Sequence, residues 1–431
     1  MRIRLDNPLF LNEISDEAIE YISTDTRELR AGDLFIPLVG KSFDGRKFIK
    51  DAESIGARVY ETDDGERALL NIANLYKSSL KSLKYTVAIT GSVGKTTTKE
   101  FLYEILKYSY KVHKTSENEN NAVGVSKTLL SAPRDTEVLI LEVGTNHTGE
   151  IARITDIIQP THALITNIGT SHIGNFGSRE GIKKEKTCIV GNGNATSFTR
   201  YEDEISLVGS ARFSVKTREA DFFLEKTPNG ISFYKKSERL LDSVCKMSEE
   251  HLLELLCAAV GISLDLGASK ESVIRGISSI SYNNTRQNIF SVGKFHIFSD
   301  CYNASYESFL ADFKALLAME QYKERSLVLG DIGELGEYSE AIHYELGKQI
   351  SKYGFRRVYI VGAMRATVIS GILSGGGRAP KITTFSESYT PRFIAGVILE
   401  NAAEGEIILF KASRKMKLEK IIDEINERCF N

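Results

Sequence analysis

The sequence predicts an α/β protein in which parallel sheets are covered by helices. Three observations lead there. From Tyr85 onward, short apolar runs of strand type alternate with helical stretches, the pattern of buried parallel strands joined by helical crossovers. A glycine turn, Gly91-Ser92-Val93-Gly94, sits between one such strand and the helix after it. A second alternating series starts near Val292, Rossmann-like in texture but without GxGxxG.

Residues 1 to about 80 mix short strands and helices. Asp33–Gly40 reads as a strand entered from a turn, Ile49–Ile55 as a short helix and Ala57–Tyr60 as another strand. Lys77–Lys84 is polar and basic, a linker or an exposed helix end. Tyr85–Thr90 is a predicted strand and Thr97–Tyr108 a helix. Val138–Val143 and His162–Ile168 are further strands, with a helix near Glu150–Ile158 between them. Residues 205–245 look more antiparallel, and Ser248–Leu266 is a periodic helix. Phe295–Phe298, Ser326–Leu329, Val358–Val361 and Ile407–Phe410 are the strands of the second series.

A chain of 431 residues exceeds one core and suits two to four domains. The formal net charge of -2 argues against a general nucleic-acid or membrane-surface binder. No signal peptide and no run of membrane-span length is visible. The five cysteines, Cys188, Cys245, Cys257, Cys301 and Cys429, include no CxxC pair and suit free thiols in a reducing cytoplasm.

The turn at Gly91 carries the clearest chemistry. Strand, glycine turn and helix start together aim backbone N–H groups and a positive dipole end at an anion. Lys95 adds a full charge for β- and γ-phosphates, and the Thr96 hydroxyl is the expected Mg²⁺ ligand. The match to GxxxxGK[ST] is incomplete, because its first glycine would fall at Ile89. An ordinary glycine turn is the plainer alternative.

The stretch Thr90–Thr98, with Gly91, Ser92, Val93, Gly94, Lys95, Thr96 and Thr97, resembles the ATP loop of the Mur ligases, the amide-forming enzymes of peptidoglycan precursor synthesis. Further segments agree in the family's order. Ser23–Arg27, Ala31–Phe35 and Asp44-Gly45 resemble its UDP-substrate module. Asn118–Asn121 with Gly124 resembles its asparagine loop, and Glu142–Asn146 with Gly149–Ile151 its acidic strand end. Asn167–His172 and Phe176–Ser178 follow. Asp300–Ala304 and Leu329–Gly336 are most like the branch that adds D-alanyl-D-alanine, and Lys411–Arg414 closes the match.

The resemblance implies three domains: residues 1–82, small, α/β and UDP-substrate-binding; residues 83–288, a central P-loop parallel-sheet ATPase domain; and residues 289–431, a Rossmann-like domain for the incoming amine. It implies a cytoplasmic, monomeric ligase that uses ATP and Mg²⁺ and binds neither membrane nor nucleic acid. Such an enzyme joins a nucleotide-linked tripeptide to D-alanyl-D-alanine through an acyl phosphate. Lys95, Glu142, His172, Lys186 and Arg286 would be catalytic. Thr96, Glu142, His172 and Lys186 would hold metal, Lys186 as a carbamate. The nucleotide would also meet Asn121, Arg286, Asp300 and Asn303. Thr26, Arg27, Asp44, Asn146, Ser171, Ser413 and Arg414 would meet the other substrates.

Some positions depart from the pattern. The family's HNxxN reads His251-Leu252-Leu253-Glu254-Leu255, so leucines replace two adenine-facing asparagines. Glu117 replaces a glycine, Tyr306 a proline and Cys188 a glutamate. Lys183 and Lys184 adjoin Lys186, so a solvated basic helix face competes with a carbamate there. Glu142 and His172 alone also suit a polar strand cap and a loop histidine. A related ligase with another carboxylate and amine, a nucleotide-binding protein without turnover, and a general P-loop kinase or ATPase are the competing readings.

Overall fold

A computed structural model describes all residues except 12–14, 41–42, 248, 281–287, 387 and 431. Contacts divide the chain into two units, residues 1–167 with 183–280, and residues 168–182 with 281–431.

The first unit carries a four-stranded sheet and a nine-stranded one. The smaller begins with a long antiparallel pair, Arg2–Leu11 and Ser15–Ser23, which the sequence reading missed. Leu34–Phe35 and Arg58–Val59 then add in parallel. The predicted strand Asp33–Gly40 is broken in two: Leu34–Phe35 stays in this sheet, and Val39–Gly40 pairs with Phe43–Asp44. Pro37 lies between them and has no N–H for a ladder. Lys77 falls on the last turn of the helix Gly65–Ser79, so the polar stretch starts as a helix end. That helix anchors the module through Tyr76, fully buried, whose hydroxyl donates to the Ala132 carbonyl at 2.7 Å.

In the larger sheet, seven strands run parallel in the order Val112–Lys114, Val138–Glu142, Tyr85–Thr90, His162–Ile165, Thr196–Arg200, Ala211–Ser214 and Phe222–Thr227. Gly230–Lys235 and Glu238–Ser243 extend it antiparallel. The antiparallel reading of 205–245 therefore holds only from Phe222 onward, since Ala211–Ser214 is parallel to both neighbours. After Tyr85–Thr90 the chain moves to one side, and it crosses to the other with His162–Ile165. The carboxyl end of Tyr85–Thr90 is thus a topological switch point, where open α/β sheets place ligands. Val138–Glu142 is buried at every position, which explains its continuous apolar run.

The next helix starts at Lys95, two residues before the expected Thr97, because Gly94 in left-handed conformation (φ 83°) caps it. The strand from His162 ends at Ile165 rather than Ile168. The periodic helix runs Glu250–Asp265, and Ser248 lies outside the described residues.

The second unit holds a six-stranded sheet in the order Asn288–Val292, Phe295–Asp300, Ile407–Lys411, Arg325–Leu329, Arg357–Val361 and Lys381–Phe385. Only its first pair is antiparallel. Asp300, Lys411 and the Gly330-Asp331 turn lie together at carboxyl ends of its strands. Among the described residues no helix is long and apolar enough to cross a membrane.

Candidate active site

The glycine turn lies where the switch point puts it. Asn167 braces it from the loop after the neighbouring strand. Its carbonyl accepts from Ser92 N at 3.1 Å and its Oδ1 from Val93 N at 3.1 Å, while its Nδ2 donates to the Val93 carbonyl at 3.0 Å. Thr166 Oγ1 also donates to the Val93 carbonyl, at 2.6 Å. From below, a Cβ on Gly94 would meet Leu255 Cδ1 and Cδ2 at 2.8 Å. Leu255 and Leu252, which stand for polar residues in the family, are buried. Their side chains offer no hydrogen bond to a base. Lys95 curls back, its Nζ donating to the Gly91 carbonyl at 2.7 Å.

Glu142, buried at its strand end, gathers the next groups. Thr96 Oγ1 donates to its Oε2 at 2.8 Å and Asn120 Nδ2 to its Oε1 at 3.0 Å. Lys99 lies one turn along the helix, fully buried. Its Nζ is 3.8 Å from Glu142 Oε2 and donates to the Glu117 carbonyl at 2.8 Å. Burial lowers the Lys99 ammonium below the usual lysine range, against the pull of Glu142 and Glu100. Glu117 has φ 44°, left-handed backbone that accounts for glycine as the family's choice there. Asn121 caps the helix Ala122–Leu130, its Oδ1 accepting from Gly124 N at 2.9 Å.

Lys186 is buried within the helix Arg179–Thr187, whereas Lys183 and Lys184 are half-buried and exposed. It therefore does not belong to a solvated basic face. Burial, and next the charge of Lys95, push its ammonium well below the usual lysine range. Its neighbour Glu185 is buried and accepts from Gly149 N at 2.7 Å and Ile151 N at 2.9 Å. That carboxylate caps the helix Glu150–Ile158 and steadies the loop carrying Asn146. Asn146 N donates to Glu150 Oε2 at 2.7 Å.

In the small N-terminal sheet's surroundings, Arg27 and Arg46 are each forked onto a local carboxylate. Arg27 Nε donates to Asp25 Oδ1 at 2.9 Å, and Arg46 Nε to Asp44 Oδ1 at 2.9 Å. Thr26 opens the short helix Thr26–Glu28, which includes Arg27.

The second unit holds the other expected residues. Ser171 is buried, and His172 Nδ1 is paired with the Glu334 carboxylate. Asp300 and Lys411 stand opposite each other on adjacent strands. The fully buried Lys411 Nζ touches Asp300 Oδ2 and lies 2.6 Å from Asp312 Oδ2. Burial, with the Asp300 carboxylate adding to it, pushes the Asp312 carboxyl up to about 7. For Lys411 burial acts downward, but Asp312 and Asp300 outweigh it and the net shift is upward. Asn303 Oδ1 accepts from Ala304 N at 2.9 Å, and Tyr306 takes the first helical position, where proline also fits. Ser413 Oγ donates to the Asp331 carbonyl at 2.6 Å, and Arg414 pairs with Glu419 at 3.2 Å. Arg286 lies outside the described residues.

The structure therefore gathers the glycine turn, Lys95, Thr96, Glu142 and Lys186 in one unit and His172, Asp300, Asn303, Ser413 and Arg414 in the other. Lys99, Asn120, Asn167, Glu185, Lys411 and Asp312 were not singled out from the sequence as site residues. Their partners lie 18 to 111 residues away, so spacing carried no signal.

Comparison with known proteins fits this arrangement. Residues 18–106 match the Mur ligase family catalytic domain, 89–247 the Mur ligase middle domain, and 285–414 the Mur ligase glutamate ligase domain. The UDP-N-acetylmuramoyl-tripeptide--D-alanyl-D-alanine ligase of Bacillus subtilis (strain 168) is 32% identical over 95% of this chain and 93% of its own length. The enzyme of that name from Escherichia coli (strain K12) is 28% identical over 96% and 95%. Among solved structures, MurF from Acinetobacter baumannii superimposes with a TM-score of 0.82 at 27% identity, covering 96% of this chain and 94% of that one. MurF from Thermotoga maritima in complex with ADP gives 0.80 at 27%, over 95% and 97%. With three domain families matched in order and relatives aligned over nearly the full length, the chain belongs to the Mur ligase family, on its MurF branch.

Proposed function

We propose that this enzyme joins D-alanyl-D-alanine to UDP-N-acetylmuramoyl-tripeptide, with ATP converted to ADP and phosphate. The observation that carries the proposal is the meeting of Thr96, Glu142 and Asn120 beside the glycine turn, in a chain aligned over 95% of its length with a ligase of that name. The tripeptide carboxylate attacks the γ-phosphorus, and the bond to ADP breaks. The dipeptide amine then attacks the acyl phosphate, giving an amide, phosphate and a proton. Both partners of the first step are anionic, so positive charge must be supplied at the junction.

Lys95 supplies it, exchanging its contact with the Gly91 carbonyl for phosphate. The Thr96 hydroxyl and Glu142 carboxylate, 2.8 Å apart, are hard oxygen donors that fit Mg²⁺. Mg²⁺, when bound, would screen the phosphate charge. His172 is read as a further ligand for the ion. Burial and the charge of Lys95 favour the neutral amine of Lys186, the form that adds CO₂ to become a carbamate. Arg286 and Asn121 serve the phosphates, and Asp300 and Asn303 the nucleoside. Thr26, Arg27 and Asp44 address the UDP moiety; Asn146 and Ser171 face the peptide, and Ser413 and Arg414 the dipeptide. Residues 1–82, 83–288 and 289–431 divide these tasks in a cytoplasmic monomer.

The test is ADP release on mixing purified protein, ATP, Mg²⁺, the UDP-linked tripeptide and D-alanyl-D-alanine, with amide product seen by mass spectrometry. Lys95→Ala is expected to abolish it. Absence of product with the wild-type chain, or a fully active Lys95→Ala, overturns the assignment.

A further inference from the structure

His172 follows a strand of the first unit's sheet, but the segment that carries it packs with the second unit. Three contacts fasten it there. Glu307, in the first turn of the helix Tyr306–Ala318, accepts from Thr170 N at 2.8 Å and from Thr170 Oγ1 at 3.1 Å. The backbone at Gly174 passes so close to the Glu334–Gly336 turn that an added Cβ would lie 2.5 Å from Gly336 N. Gly174 N donates to the Glu334 carbonyl at 3.1 Å. Tyr338 OH donates to the Gly177 carbonyl at 2.6 Å. Between these points His172 and Glu334, both in left-handed backbone at φ 61°, face each other as a pair. Non-glycine residues hold that conformation only where surrounding contacts impose it.

We propose that Glu307 is a positioning residue for His172, clamping the Gly169–Ser171 turn so that the imidazole is presented in a fixed direction. The inference rests on the reading of His172 as a site residue. Two N–H and O–H groups on one residue, both directed at one carboxylate, fix the turn two residues before the histidine. Gly169 makes the clamp possible, since a Cβ there would lie 2.7 Å from Glu307 Cδ. The Glu334 carboxylate pairs with Nδ1 of the same ring. Carboxylates on the far nitrogen orient histidines in this way at many sites.

The experiment compares Glu307→Ala, Glu307→Gln and Gly169→Ala with wild type and with His172→Ala. Hydrogen exchange by mass spectrometry follows residues 168–178, and steady-state kinetics follow ligation. Glu307→Ala and Gly169→Ala are expected to speed exchange in that segment and lower kcat by about tenfold to a hundredfold, with KM for the tripeptide and dipeptide substrates unchanged. Glu307→Gln keeps an acceptor for Thr170 N and is expected to restore most of kcat. Unchanged exchange in Glu307→Ala overturns the clamp, as does faster exchange with wild-type kcat. A fully active His172→Ala would instead remove the underlying reading of His172, whatever the exchange shows.

Discussion

Replacing Lys411 by methionine keeps the volume of the side chain and removes its charge. The cation is fully buried between two carboxylates, 2.6 Å from Asp312 Oδ2 and in contact with Asp300 Oδ2, with the Phe309 ring 5.5 Å away. Removing one partner of a buried ionic cluster leaves the others uncompensated, at a cost of about 3–5 kcal/mol. Asp312 has a partial escape, because burial already pushes its carboxyl up to about 7. Without Lys411, which lowers it, the carboxyl takes a proton more readily still, and this uptake offsets more of the loss at lower pH. Lys411→Met should therefore be destabilised by about 3–5 kcal/mol at pH 8 and by about 1 kcal/mol less at pH 6. The chain has no tryptophan, so intrinsic indole fluorescence offers no probe. Urea titration read by pulsed hydrogen exchange on peptides covering Arg325–Leu329 reports the second unit directly. A second variant, Lys411→Met with Asp312→Leu, should recover part of the loss. Stability of the single variant within about 0.5 kcal/mol of wild type at pH 8 would refute the account of the triad.

Asp312→Asn isolates the proton. The folded-state value of this carboxyl is raised from 3.8 to about 7, so the native state holds the proton more tightly and stability falls as pH rises toward and through 7. Wild type should lose about 1 kcal/mol between pH 6 and pH 8 relative to the variant in the same titration; parallel profiles would contradict this. Lys186→Ala should lose most ligation and regain part of it with a short carboxylic acid in the buffer; wild-type-like activity without the acid would count against the carbamate. Glu185→Ala strips the buried acceptor from Gly149 N and Ile151 N, costing about 2–3 kcal/mol in urea unfolding, whereas Glu185→Gln should lose less. Equal losses in the two variants would show that the side chain acts only by filling space.

The sequence revealed most about features made by neighbouring residues. The Gly91–Thr97 turn is one continuous stretch, and its strand and helix announce themselves on either side. Val138–Glu142 was legible because burial on every face leaves an uninterrupted apolar run. The long pair Arg2–Leu11 and Ser15–Ser23 was not, because charged residues interrupt its apolar positions and its register slips between Arg4 and Leu11. At the site, Glu142 was singled out through the family resemblance of its strand-end motif, but Lys99 and Asn120, which contact it, come from a helix and a loop brought near only by the fold. Of Asn120 and Asn121, the resemblance singled out only Asn121. One reaches Glu142 and the other caps a helix, a difference set by which way adjacent side chains turn.

The path of the chain has a practical outcome for fragments of this enzyme. The backbone passes between the two units at 167/168, at 182/183 and at 280/281. A protease cut at the last of these would not free the second unit. Residues 168–182 would stay on the amino-terminal piece while bound through Thr170, Gly174 and Gly177 to Glu307, the Glu334–Gly336 turn and Tyr338 on the other. The nicked enzyme should then migrate as one particle on a sizing column and fall into two bands only in denaturant. Split versions divided there would associate without added tags, with the His172 segment as their joint.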